Sequence, residues 1–364
     1  MPSAETTTSA SFDFLFHYDK DPITAGIQDA TAGGTLLFDK AADTYAFTLT
    51  DPVDGYSFNL IQTSALVAKM PTSNTGHPPI VIEQLTQNSD AHPFFVQFTA
   101  NSVTNQVGFG FNSTGDSDQS TPSDKDFTGT AHDLVTNKNE DWVSATQSTN
   151  GVAGDTIQKG ELLTLRFFNT NILSDVTSGT ERIDPTAKAS EVVVKFDGIG
   201  NSEDLLVILD LKAADGTEIT RAINVENGDL IRGNANVPSA YSGKFTLDQN
   251  DALLIIQQND YAAAGETYQI QGMQIMQSGN GLGGLAIDLD GGIGANHGSS
   301  TTTGLQAWDP TDNDVLKIVD IGFVQTTSGT IDANLDFAFN IIDGDGDQSA
   351  LQHINVMISD SFII

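Results

Sequence analysis

Asp343-Gly344-Asp345-Gly346-Asp347 sets three carboxylates at every second position, separated by residues that carry no side chain. Packing does not account for this arrangement, because like charges repel and glycine contributes nothing to a core. A cation does. Ca²⁺ suits the spacing, since it accepts about six to eight oxygen ligands from carboxylates, backbone carbonyls and water. A solvated polar turn is the alternative, as Asp and Gly both favour turns. The stretch is not an EF-hand: counted from Asp343, the required glycine is Gln348 and the closing bidentate glutamate is Ile354, and a count from Asp116 ends on Phe127. Missing ligands would come from backbone or from other loops. Asp309, Asp312 and Asp314 are the further metal candidates, followed by Glu203 with Asp204 and Asp248 with Asp251. Each of these groups reads more readily as an acidic surface turn.

Other chemistries find less support. His17, His77, His92, His132, His297 and His353 form no HExxH pair, and neither a GxSxG elbow nor a GxxxxGK[ST] loop occurs. No pair among the 48 acidic residues stands out for glycoside hydrolysis. The expectation is therefore a protein that is not an enzyme, with a polysaccharide-active enzyme as the weaker alternative. Trp142 and Trp308, beside Asp and Asn, suit a glycan platform in which Ca²⁺ bridges vicinal hydroxyls, although a Trp is more often partly buried structure. Gly283 to Gly291 partly matches the Ca²⁺-binding nonapeptide GGxGxDxUx, but Ala286 replaces a glycine, Asp290 replaces the apolar residue, and no tandem copy exists. One imperfect unit cannot stack, so the segment reads as a loop.

The elements that must position these groups are strands. Phe337, Phe339 and Ile341 alternate before the acidic run, and Ile354, Val356 and Ile358 alternate after it, which makes the run the connection of a hairpin. Phe12, Phe14 and Phe16 mark a first strand, and residues 34–38 and 45–49 a hairpin. Tyr56 to Leu60, Phe94 to Phe98, Val107 to Phe111, Leu162 to Phe168, Val192 to Phe196, Leu253 to Ile256 and Tyr268 to Ile275 continue the series. Leu205 to Leu211 is apolar almost throughout, as expected of a strand buried on both faces, and Asp215-Gly216 turns it into a hairpin. Thr63 to Met70 suits two helical turns stopped by Pro71. Helical periodicity is otherwise nearly absent. The fold class expected is all-β, with antiparallel β-sandwich modules of immunoglobulin or jelly-roll type and Ca²⁺-binding loops.

The expected organisation begins with a disordered arm over residues 1–10. A large β-sandwich domain over 11–280 follows, or two domains split near 155, with an irregular, exposed loop at 112–154. Residues 281–304 read as a Gly/Ser/Thr-rich crossing, and 305–364 as a small β-sandwich module carrying the acidic loop. Length supports more than one core, since 364 residues exceed a single small domain.

Charge restricts the partners. With 48 acidic and 15 basic residues the net charge is -33, so nucleic acid and anionic lipid are repelled, and polycations and divalent metals are not. Such self-repulsion favours a state neutralised by bound cations or screened by salt. No apolar run approaches the ~20 residues needed to span a bilayer, so no membrane insertion is expected. Zero cysteine removes disulfides and thiolate chemistry. The N-terminal residues lack the basic and apolar regions of a secretory signal, which leaves a cytosolic protein, a fragment, or export by another route.

The segments Tyr268 to Gly281, Asp314 to Phe323 and Leu335 to Asp347, with Val194 to Gly200 and Glu203 to Leu206, resemble repeat domains of large type I-secreted RTX adhesins, including T1SS-143-like repeats. The resemblance covers roughly residues 160–360. It implies a Ca²⁺-dependent β-sandwich segment of a fibrous adhesin, secreted and held at the bacterial cell surface, acting in attachment or biofilm formation. The partners it implies are neighbouring modules of the same adhesin, together with a glycan or peptide on a host or biofilm surface, with the segment itself a monomer. The tandem nonapeptides and the terminal secretion signal of such proteins are missing, as expected of an interior piece.

Overall fold

The computed structural model describes residues 3–18, 30–42, 44–50, 54–90, 92–102, 110–111, 126–127, 132, 134–136, 140–146, 149–177, 183–263, 266–278, 283–289, 301–304, 315–330, 333–340 and 350–358. Strands dominate. In chain order they are β1 (Ala4–Glu5), β2 (Ser9–Tyr18), β3 (Ala30–Asp39), β4 (Thr44–Leu49), β5 (Asp54–Gln62), β6 (Ala68–Met70), β7 (Ile80–Gln84) and β8 (Phe95–Ser102). Four short strands follow: β9 (Gly110–Phe111), β10 (Asp126–Phe127), β11 (Val135–Thr136) and β12 (Glu140–Asp141). The central set is β13 (Glu161–Phe168), β14 (Glu191–Phe196), β15 (Leu205–Lys212), β16 (Glu218–Val225), β17 (Ile231–Arg232), β18 (Ala252–Ile256) and β19 (Gln269–Gln277). Last come β20 (Gly283–Asp288), β21 (Thr301–Gly304), β22 (Ile318–Thr330), β23 (Ala333–Phe339) and β24 (Gln352–Ile358). The described α-helices are single turns, Ser239–Ser242 and Gln258–Tyr261.

The chain divides into two compact units, one made of residues 1–58 with 326–364 and the other of residues 59–325. The sequence suggests a division near 280 instead. Glycine-rich composition marks a bend locally, whereas a unit built from both chain ends depends on long-range pairing that composition does not carry. Within the 281–304 stretch, expected to be a crossing, β20 and β21 pair antiparallel, and β20 also runs beside β16. The imperfect nonapeptide therefore begins as a strand rather than a loop.

In the first unit β1 to β4 form an antiparallel sheet in sequence order. The β3–β4 turn is closed by Asp39, whose carboxylate accepts the amides of Ala41 and Ala42 at 2.9 and 3.0 Å. The period-two pattern puts Phe14 and Phe47 on one face, stacked at 5.2 Å, and Phe337 of β23 meets both, at 4.9 and 5.6 Å. β23 and β24 pair antiparallel with Leu335 opposite Val356 and Phe337 opposite Ile354. Both halves of the expected hairpin around the acidic run thus share a register.

The second unit holds an antiparallel-dominated sheet of eleven strands, with the path β10-β20-β16-β15-β19-β13-β8-β7-β6, and a five-stranded sheet ordered β17-β18-β14-β22-β5. Both contribute to one apolar cluster: Val96, Phe98, Leu165, Phe167, Val207 and Leu209 from the first, and Val192, Val194, Leu254, Ile256, Ile321 and Phe323 from the second. Phe94, Phe167 and Phe323 meet there at centroid separations of 4.9 to 5.7 Å. β15 lies between β16 and β19 and is buried on both faces, as its unbroken apolar run predicts. Leu205, Val207 and Leu209 enter the main cluster, and Leu206 and Ile208 a second one on the opposite face. Thr63 to Met70 differs from expectation. A single 3-10 turn over Thr63–Ala65 leads into β6, because Lys69 is drawn into a buried ion pair with Glu83 of the neighbouring β7.

Candidate functional site

Asp343, Asp345 and Asp347, and equally Asp309, Asp312 and Asp314, lie outside the described residues, as does Trp308. What is described at the acidic run is its support: the β23–β24 register closes at Phe339 opposite Gln352, so the three aspartates belong to the 340–351 connection. His353 is exposed on β24 and bonds across the hairpin to Asp336 at 2.9 Å.

The secondary acidic groups have local structural tasks. The Asp204 side chain accepts the Asn227 amide at 2.8 Å. Asp251 accepts the Asp248 amide at 3.0 Å and pairs with Lys195 at 2.8 Å, while Asp248 accepts the Asn250 amide at 2.9 Å. These are turn-closing carboxylates, and Glu203, next to Asp204 in the chain, is buried. Among the described residues no group of three or more His, Asp or Glu is arranged to hold a metal ion.

The outer face of the eleven-stranded sheet carries a polar row that the sequence does not announce. On β13 the alternation places Leu162 and Phe168 in apolar clusters at either end, with Thr164 and Arg166 between them, both buried. The registers line up Gln97, Arg166, Gly272, Asp210 and Thr220 on five successive strands. Asp210 and Gln271 are each 1% exposed. Asp210 Oδ1 accepts from Gln271 Nε2 at 2.9 Å and lies 2.6 Å from His132 Nε2. Glu218 approaches the other His132 nitrogen at 3.6 Å and is itself paired with Lys212 at 2.5 Å, which raises the Lys212 pKa above its ordinary value. A side chain at Gly272 would place its Cβ 2.8 Å from the Leu165 carbonyl and 3.3 Å from Asp210 Oδ2, so the row closes only around glycine.

This row and the neighbouring Gln274 anchor His132 and Val135 to the sheet. Gln274 offers its amide to Val135 as a strand would, accepting the Val135 N–H at 2.8 Å and donating to its carbonyl at 2.6 Å. The 112–154 stretch, expected as an exposed loop, is in its described part largely buried: Leu134, Val135, Val143, Ser144 and Ala145 are at most 1% exposed. The signal available in the sequence was Asp210 and Arg166 inside otherwise apolar strands, because a charge at a buried position demands a partner from elsewhere.

A second feature of the same stretch lies at the surface. His77, exposed, stacks on the half-buried Trp142 with centroids 4.8 Å apart and planes 13° from parallel. Nearby, Ser102 donates to Asp141 at 2.5 Å, and Glu161, opposite Ser102 on β13, is pushed up to about 7 by burial and then by the Asp141 charge, against the Gln158 amide it accepts.

The chain is thus a strongly acidic, mostly-β protein of antiparallel sheets with buried polar anchors. Comparison with known proteins finds no family model, no curated protein and no solved structure that matches it.

Proposed function

We propose that this chain is a calcium-stabilised extracellular segment of a bacterial adhesin of RTX type, with a structural role in surface attachment or biofilm formation. On this reading the eleven- and five-stranded sheets are the two layers of a β-sandwich, and Asp343, Asp345 and Asp347 hold Ca²⁺ in the loop of a second module. The observation that carries it is the β23–β24 hairpin, whose register leaves three alternating carboxylates in its connection within a chain of net charge -33. Gathered carboxylates destabilise the native state by repulsion until a cation neutralises them, so metal that binds only the folded form adds directly to stability. Thermal unfolding in Ca²⁺ and then in excess chelator tests this. A lower transition on chelation, reproduced by Asp345→Asn without chelator, is expected; superimposable transitions would contradict it.

A further inference from the structure

Only two described non-glycine residues have a positive φ, His77 at 50° and Ala153 at 52°, and both engage Trp142. His77 lays its ring on the indole, and the Ala153 amide donates to the Trp142 carbonyl at 2.8 Å. His77 follows Gly76, itself at φ 84°, in a turn closed by its own amide to Asn74 O at 3.0 Å. A left-handed conformation is unfavourable for a side chain with a Cβ and persists where its surroundings impose it, often at ligand clamps. Of the two, His77 meets the Trp142 ring and Ala153 its backbone carbonyl.

The surroundings of that ring are polar. Val143 and Ala145 turn into the core, while Trp142 and Thr146 stay half-exposed on the alternate positions. Asp155, exposed, receives hydrogen bonds from Ser144 and Thr146 at 3.1 and 3.3 Å through one oxygen, and Thr146 meets Thr149 at 3.0 Å. Neither the indole N–H of Trp142 nor the ring nitrogens of His77 have a partner among the described residues. The patch therefore joins an aromatic pair with unused ring N–H and nitrogen groups to the half-exposed Thr146 hydroxyl on the same segment and to the exposed Asp155 carboxylate that Thr146 bonds. From this we infer that His77 and Trp142 form a binding platform for a neutral saccharide, whose ring lies on the stacked aromatics and whose hydroxyls meet the polar groups beside them. A purely apolar ligand would leave those groups unpaired, at a cost. The inference is independent of the calcium reading.

The test uses the full chain carrying Trp308→Phe, which leaves Trp142 as its one tryptophan. Its fluorescence is titrated with glucose, galactose, mannose, fucose and N-acetylglucosamine and their oligomers, and in a separate arm with a trimethyllysine peptide. At least one saccharide should shift the emission saturably. His77→Gly, which accepts the left-handed backbone without strain, should bind it about tenfold more weakly with no loss of thermal stability. A panel without a saccharide response, equal binding by His77→Gly, or a preference for the cationic peptide would each overturn the inference.

Discussion

Replacing Lys69 by methionine isolates the charge of a buried ion pair while keeping the length of the side chain. Lys69 Nζ lies 2.7 Å from Glu83 Oε1 and donates to the Thr146 carbonyl at 2.8 Å, and the two charged side chains are only 7% and 3% exposed. Burial raises the Glu83 pKa above its ordinary value, Lys69 opposes that rise, and Asp320 adds to it. Without Lys69, Glu83 would take up a proton in the folded state rather than stay charged and unpaired. The loss is then capped by the cost of protonating a carboxyl of ordinary pKa, about 3.4 kcal/mol at pH 7 and about 0.7 kcal/mol at pH 5. The sign follows from the raised pKa. Such a group favours folding below its unfolded value and gives up that stability as pH rises toward its folded value. Urea unfolding followed by tryptophan fluorescence reads out the second unit, since both tryptophans fall within residues 59–325. Lys69→Met should lose roughly 3 kcal/mol near pH 7 and no more than about 0.7 kcal/mol near pH 5, and Lys69→Met with Glu83→Gln should recover most of the difference. An equal loss at both pH values, or under about 1 kcal/mol near pH 7, would refute the reasoning.

Two further outcomes follow from the same structure. Glu161→Gln removes a carboxyl pushed up to about 7, so the variant should gain stability near and above neutral pH and match the parent in acid. Discounted for its partial exposure, the gain is about 1 kcal/mol, read from urea midpoints across pH. Phe337→Ala removes the ring that meets Phe14 and Phe47, and should destabilise the first unit by about 2–3 kcal/mol. Hydrogen exchange should then accelerate in both β2 and β24; faster exchange in β24 alone would contradict a unit shared by the two chain ends.

Strand positions were legible wherever alternation is local. Phe12, Phe14 and Phe16 lie in β2, Asp215-Gly216 turns β15 into β16, and the apolar run from Leu205 occupies the interior of a sheet, because each signal needs only neighbouring residues. Long-range organisation was not legible. Nothing local tells Phe337 that its partners are Phe14 and Phe47, or His132 that Asp210 waits on a distant strand. The irregular appearance of residues 112–154 arises from the same cause. Val135 sits in the two-residue strand β11 opposite Phe111 of β9 and also exchanges both backbone hydrogen bonds with the Gln274 side chain, so the ordered run is too short to leave an alternating pattern. Thr63 to Met70 has an apolar spacing that fits a helix, yet the ion pair of Lys69 with Glu83 and the register with β7 are tertiary facts that outweigh local preference.

On the proposed reading, the acidic connection between β23 and β24 holds calcium. Metal content by mass spectrometry, after exhaustive dialysis of the purified chain against trace Ca²⁺, tests it most directly when parent and Asp343→Asn/Asp345→Asn/Asp347→Asn are compared. Bound Ca²⁺ is expected in the parent, and at least one equivalent less in the triple variant. Equal calcium in the two proteins, or none in either, would contradict it.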